Sequence, residues 1–142
     1  MKYNLKTIHL KQVSKLDYDF LYNLLKERNP ISNISHKKMP SIQSHIKFLS
    51  SKPYKKWYVI KMSNNSIGSI YLSYQNEIGL FLKKEYDDVT IANSVIKLFM
   101  KKNPLNQYFV NISPRNTKLI KFYKNLGFSL LQKTFKLEKG SK

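Results

Sequence analysis

The amino-acid sequence predicts a mixed α/β fold in a single domain of 142 residues. In residues 76–100, an apolar strand (78–82) leads through a charged loop into a helix with apolar residues near a 3.6-residue period. Before it lies a meander, in which two strands flank an Asn64-Asn65 turn. A further strand at 107–112 makes the helix the crossover of a βαβ unit, which fixes one parallel strand pair.

The N-terminal part is expected to contain a strand and two helices. Residues 3–13 read as the strand, and Ser14 caps a helix that runs to about Arg28. Its expected buried stripe is Leu16, Phe20, Leu21, Leu24 and Leu25. A turn-rich connection bounded by two prolines follows, and Ser41 caps a second helix at 41–49.

The meander and the C-terminal part complete the predicted order. Gly68, inside the second meander strand, suggests a β-bulge or a close backbone approach. The helix after strand 78–82 is expected to end near Lys102, before Asn103-Pro104. A helix at 116–126 closes at Gly127, and 128–137 is the last strand. The order is therefore β-α-α-β-β-β-α-β-α-β.

The net charge of +18 raises the question of a nucleic-acid partner. All but two of the 26 basic residues are lysines, whereas arginine is the residue suited to bidentate phosphate and base contacts. The lysines are also spread along the whole chain without a block of five. We therefore expect no specific nucleic-acid partner, and an acidic small molecule fits the positive field more easily.

Other absences narrow the function. Without cysteine the chain has no disulfide, thiolate metal site or cysteine nucleophile, and three scattered histidines make no zinc site, so no metal is expected. The N-terminus lacks a continuous apolar segment, and no run approaches the ~18 apolar residues of a membrane span. These observations favour a soluble, cytoplasmic protein with a core of ordinary size.

Two segments carry a resemblance to a known family. They are NEIGLFLKKEY at 76–86, and NISPRNTKLIKFYKNLGF at 111–128, a helix with Phe-Tyr near its end and a closing Leu-Gly-Phe. Over residues 3–137 the chain resembles the GNAT superfamily of N-acetyltransferases. The resemblance implies transfer of an acetyl group from acetyl-CoA to a primary amine, by direct attack on the thioester. It also implies that the strands at 77–82 and 107–112 splay apart, with 80–82 and 108–110 diverging to admit the pantetheine.

The resemblance assigns roles to individual residues. Backbone groups of Leu80, Phe81 and Leu82 would hold the pantetheine and polarise the thioester carbonyl. Glu77 would be the general base for the amine, and Tyr123 would protonate the leaving thiolate. Asn116 would hold the pantetheine arm. The alternatives are that Glu77 is a polar residue at the start of a strand and that Tyr123 is a packing residue of its helix.

The loop into the central helix departs from the family pattern. Members usually carry Q/R-x-x-G-x-G/A there, with small residues that let the helix amides approach the pyrophosphate. The cofactor-binding positions here are Asp87, Asp88, Val89, Thr90, Ile91 and Ala92. Of these only Ala92 fits the pattern, and an acid at a helix start satisfies the amides that an anion would use.

The acceptor side is predicted from the connection and the second helix. The resemblance places Arg28, His36 and His45 at the acceptor pocket, and an amino sugar is one candidate acceptor. The alternatives are that Arg28 closes its helix, His36 is an exposed loop residue and His45 is packed on the apolar face of its helix. The expected partner is a small amine, bound by a monomer or a homodimer.

Two functions remain open at this point. The first is an acetyl-CoA-dependent N-acetyltransferase, favoured by the presence of Glu77, Asn116 and Tyr123. The second is a catalytically weak or inactive domain of the same fold that binds a partner or an acidic ligand through its lysine-rich surface. Because both share one fold, the fold alone does not separate them.

Overall fold

A computed structural model describes residues 3–27 and 39–140. The sheet has four antiparallel strands in chain order: β1 (Ile8–Gln12), β2 (Lys56–Met62), β3 (Asn65–Leu72) and β4 (Ile78–Leu82). The described part of the chain also contains four α-helices: α1 (Tyr18–Glu27), α2 (Ile42–Ser50), α3 (Val89–Lys102) and α4 (Thr117–Asn125). The predicted fold class is confirmed.

Helix α3 supplies the centre of the hydrophobic core. Ile91, Val95, Ile96 and Phe99 follow its period and are completely buried. Burial of such side chains stabilises the fold by about 1.5–3 kcal/mol each. The helix stops where predicted, at Lys102, and the backbone N–H of Asn103 donates to the Phe99 carbonyl.

Helices α1 and α2 form a second layer. α1 packs against α2 and β3. The buried residues of this layer are Leu21 and Leu24 of α1 and His45 and Leu49 of α2. The predicted caps Ser14 and Ser41 are both present, at a 3-10 turn before α1 and at α2.

The start of the chain corrects two predictions. A short 3-10 helix, Leu5–Thr7, precedes β1, so the first strand is shorter than expected. Leu16 is 93% exposed, because residues 15–17 form a 3-10 turn instead of the first turn of α1. The Asp17 carboxylate fixes that turn by accepting hydrogen bonds from the Ser14 backbone N–H and from the Lys11 ammonium, each at 2.8 Å.

The predicted irregularity at Gly68 is confirmed. The pairing of β2 with β3 shifts register between Ile60 and Lys61, opposite Gly68. A Cβ atom at position 68 would collide with the backbone carbonyl oxygen of Phe81 on β4. Only glycine therefore allows β3 and β4 to approach this closely.

The two strands expected on either side of α4 are not formed as ladders within the described chain. Residues 107–112 make a single parallel bridge, between Phe109 and Glu77. Beyond Phe128, which packs against the core, every described residue is exposed, including Leu130, Phe135 and Leu137 at 71–89%. An apolar alternating pattern gives a strand only where a neighbouring edge supplies hydrogen bonds, and here the described chain supplies none.

Candidate active site

A gap opens between β4 and the segment 107–112. The Ile78 N–H donates to the Phe109 carbonyl at 2.8 Å, and the Phe109 N–H donates to the Asn76 carbonyl at 3.0 Å. Past this point the described residues of the two segments are no longer paired, so the expected splay is confirmed. Residues 80–82 and 108–110, which were expected to diverge, form no ladder with each other.

The backbone amides of β4 point alternately towards the gap and towards β3. Because Ile78 donates across the gap and successive residues alternate, the amides of Leu80 and Leu82 also point towards the gap. The amide of Phe81 points the other way, towards β3, and its side chain lines a cavity on the α1–α2 face of the sheet. Of the three predicted pantetheine residues, Leu80 and Leu82 therefore have the required backbone orientation.

Glu77 lies at the narrow end of the gap. Its carboxylate accepts hydrogen bonds from the Ser73 hydroxyl at 3.1 Å and from the Asn111 side-chain amide at 2.7 Å. A carboxylate has about four acceptor positions, so these two bonds leave capacity for an amine or a water molecule. Asn111 reaches Glu77 from across the gap, and its role was not predicted from the sequence.

Tyr123 is buried in α4, at 3% exposure, among Phe122 and Phe128. Burial raises the pKa of its phenol far above the usual value, and the nearby Tyr71 phenol raises it further. Tyr123 therefore holds its proton throughout the physiological range. It can donate a hydrogen bond, but transfer of the proton itself is less favourable than from an exposed tyrosine.

Tyr71 links the gap to the cavity. Its ring lies across Gly79, where a Cβ atom would be 2.6 Å from the phenol oxygen and closer still to the ring carbons. Gly79 is thus required for this position of the ring. Tyr71 stacks on Tyr54 with ring centres 3.7 Å apart and an interplanar angle of 3°.

An aspartate caps the N-terminus of α3, as expected, but only one of the two aspartates, Asp88, does so. The Asp88 carboxylate accepts from the backbone N–H groups of Thr90 at 2.7 Å and Ile91 at 3.4 Å. Asp87 does not cap the helix: it is exposed, and Lys118 lies 3.9 Å from its carboxylate. Asp88 therefore occupies the amides that a phosphate would use.

The remaining residues predicted to bind the cofactor differ in how far they are exposed. Val89 and Thr90 are exposed at the helix start, Ala92 is half-buried, and Ile91 is a core residue with no exposed surface. Asn116 is the N-cap of α4, where its side-chain oxygen accepts from the Leu119 N–H at 3.2 Å. This capping contact explains an asparagine at position 116 without a ligand.

His45 is the predicted acceptor residue whose position the structure gives. It is 7% exposed, its ring lies 5.1 Å from the ring of Tyr22, and it lines the cavity. The other two, Arg28 and His36, lie outside the described residues.

The cavity has a volume of about 140 Å³ and lies between α1 and α2 on one side and β2, β3 and β4 on the other. Five of the described residues that line it are aromatic: Phe48, Tyr54, Trp57, Tyr71 and Phe81. Sequence reasoning missed this cluster. The available signal was that Trp57 and Tyr71 alternate with the aliphatic core residues of their strands, which places them together on the opposite face.

Known structures share this fold. The chain superposes on spermidine N-acetyltransferase SpeG (N152L mutant) from Vibrio cholerae with a TM-score of 0.69 and 17% identity, over 87% of this chain and 80% of that one. For a domain from Methanocaldococcus jannaschii the TM-score is 0.70 at 20% identity, over 89% and 91% of the two chains. For RimL, a ribosomal L7/L12 α-N-protein acetyltransferase solved with coenzyme A, it is 0.67 at 14% identity, over 89% and 82%.

No family model matches the sequence, and no curated protein matches it. Within residues 3–27 and 39–140, no helix is long and apolar enough to cross a membrane, and no three His, Asp or Glu residues are grouped as metal ligands would be.

The splayed β4, the crossover helix α3 and the structural neighbours together show that this chain has the fold of the GNAT superfamily of N-acetyltransferases.

Proposed function

We propose that the protein is an N-acyltransferase that uses acetyl-CoA to acetylate the primary amine of a small molecule, an amino sugar being the candidate that the sequence suggested. The observation that carries this proposal is the gap beside β4, with the amides of Leu80 and Leu82 directed into it. Two structural neighbours are described in complex with coenzyme A, one of them also with spermine.

The strand edge fits the thioester end of the cosubstrate. In the proposed reaction the amine nitrogen attacks the acetyl carbonyl carbon, the C–N bond forms and the C–S bond breaks. Amides fixed in a strand stabilise the negative charge on the carbonyl oxygen without reorganising, provided that they lie within hydrogen-bond distance of it.

Glu77 is proposed as the general base, and Tyr123 is proposed to stabilise the leaving thiolate. Glu77 accepts the proton that the amine loses, directly or through one water, while Asn111 and Ser73 hold its carboxylate in place. Tyr123 donates a hydrogen bond to the departing sulfur. Because its pKa is raised, we assign Tyr123 stabilisation of the thiolate, with the final proton coming from it or from water.

The pyrophosphate end fits less well, because Asp88 holds the amides at the start of α3. Lys83, Lys84 and Lys118 lie in the same region and oppose the repulsion between Asp88 and a diphosphate. A specific observation thus supports the second candidate function, a domain of this fold that binds weakly or does not catalyse.

The two aspartates offer a matched test of this question by calorimetric titration of acetyl-CoA at low salt. Asp88→Gly frees two amides, while glycine as a cap costs the helix only a few tenths of a kcal/mol. Asp87→Asn removes the same charge from a neighbouring position and frees no amide. We expect Asp88→Gly to tighten binding about tenfold or more, and Asp87→Asn to change it about twofold, because its charge is screened by water.

The outcomes separate the candidates. Heat of binding in the unaltered protein, with release of free thiol when an amine is added, supports the enzyme. Binding in Asp88→Gly alone supports the non-catalytic domain. No heat in any of the three proteins at high micromolar acetyl-CoA would contradict the enzyme and the cosubstrate together.

A further inference from the structure

The aromatic cavity has walls suited to one class of acceptor. We infer that it binds a monoamine with a compact, flat, apolar body, such as an aromatic ring joined to the amino group by a short chain. This inference rests on the proposed acetyl transfer for the fate of the amine and replaces the amino sugar as the expected acceptor. Binding in the cavity can be measured by itself.

The size of the cavity sets the first limit. Apolar cavities of about 150 Å³ accommodate a molecule the size of benzene, and this one is about 140 Å³. A single aromatic ring fits such a volume, with the amino group extending out of it.

The walls set the second limit. Tyr54 stands at 89° to Trp57 with ring centres 4.8 Å apart, and Phe48 lies edge-on to both. Aromatic faces and edges bind a flat apolar ring favourably. Among the described lining residues, the polar groups are the side chains of Ser44, His45 and Ser69 and the polar atoms of Tyr54, Trp57 and Tyr71, and the other described lining residues are apolar.

Charge sets the third limit. Among the described residues, none that lines the cavity is acidic, and the sequence of residues 28–38 contains no Asp or Glu. A polyamine carries several charges that need carboxylates, and the overall charge of +18 repels it. The same field and the apolar wall lower the pKa of a bound amine, which favours the neutral form required for attack.

The position of the cavity agrees with this role. Phe81 on its wall, Gly79 under the Tyr71 ring, and Glu77 occupy alternate positions of one extended segment, so they share one face. The Tyr71 ring, which covers Gly79, lies between Glu77 and a ring bound against Phe81. Tyr71 forms part of the wall at one end and lies near Tyr123 at the other.

Trp57 is the single tryptophan of the chain and lines the cavity, so its fluorescence reports binding directly. We would titrate 2-phenylethylamine, tyramine, glucosamine and spermidine into the protein without acetyl-CoA. Saturable changes are expected for the first two amines and none for the others at equal concentration. Ser44→Leu places a larger side chain in the cavity and should weaken binding at least about tenfold, whereas Ser50→Leu, on the same helix outside the cavity, should leave it unchanged.

Thiol release with acetyl-CoA then distinguishes the two proposals. Binding of the aromatic amines without thiol release would retain the ligand class and contradict the acetyl transfer. Thiol release with glucosamine or spermidine, and none with the aromatic amines, would retain the enzyme and overturn the inferred acceptor. Equal binding in Ser44→Leu and the unaltered protein, or no binding by either aromatic amine, would also overturn it.

Discussion

Gly79 is the residue on which the geometry of both the gap and the cavity depends, and Gly79→Ala is the sharpest test of it. A Cβ atom at this position would lie 2.6 Å from the Tyr71 phenol oxygen and closer to two ring carbons. The ring cannot simply move away, because its other face is stacked on Tyr54. The substitution must therefore displace Tyr71 or distort β4.

The expected cost follows from three contributions. Overpacking of a well-packed site costs about 1–3 kcal/mol, and loss of the Tyr54–Tyr71 stack adds about 0.5–1.5 kcal/mol. Replacing a strand glycine by alanine returns about 0.5–1 kcal/mol. We expect a net loss of about 2 kcal/mol in the free energy of unfolding.

Urea unfolding, followed by Trp57 fluorescence, measures this loss. A mutant cycle with Tyr71→Leu isolates the cause, because with the ring removed Gly79→Ala should cost little or even stabilise the strand. A coupling of about 2 kcal/mol is expected between the two positions. If the two substitutions are additive within about 0.5 kcal/mol, the Tyr71 ring does not lie over Gly79 and the proposed link between gap and cavity is wrong.

Two further predictions concern the ends of the chain. Burial alone would raise the pKa of Asp17, but Lys11 and the Ser14 N–H outweigh it and lower the pKa below its usual value. Asp17→Asn should therefore reduce the free energy of unfolding by about 1–3 kcal/mol at pH 7. This difference shrinks as the pH falls below about 4, because the carboxylate of the unaltered protein is then protonated. Exposed Asp19→Asn is the control, and a cost that stays constant down to pH 2 would contradict the ion pair. Removal of residues 129–142 should change the urea midpoint little, since residues 129–140 bury no side chain, and a large loss would show that this segment is paired in solution.

The elements that sequence reasoning located are those whose signals are local. Asp88, the apolar period and Asn103-Pro104 define α3 without reference to the rest of the fold, and Ser41 likewise caps α2. Gly68 marked a bulge because only a close approach requires glycine inside a strand. Each of these depends on contacts within a few residues or on one backbone constraint.

The errors arose where a residue depends on a distant partner. Leu16 has the apolar character of a helix stripe, but the ion pair of Asp17 with Lys11 directs the chain into a 3-10 turn there. Residues 128–137 have strand character, but they pair with no strand edge among residues 3–27 and 39–140. Asn111 was missed for the same reason, because only the pairing of Phe109 with Glu77 brings it to the carboxylate.

The structure also separates the two aspartates that the sequence treated as one feature. Asp88 is bound to helix amides and Asp87 is not, so only Asp88 competes with a phosphate for its ligands, and Asp87 acts through a screened charge. On the proposed acceptor side, Glu77, Gly79 and the cavity residue Phe81 lie on one face of the segment 77–81, while the amides of Leu80 and Leu82 face the gap. In the proposed function, this segment offers its side-chain face to the acceptor and its amides to the thioester, and Asp88 is the residue that we expect to weaken binding of the cosubstrate.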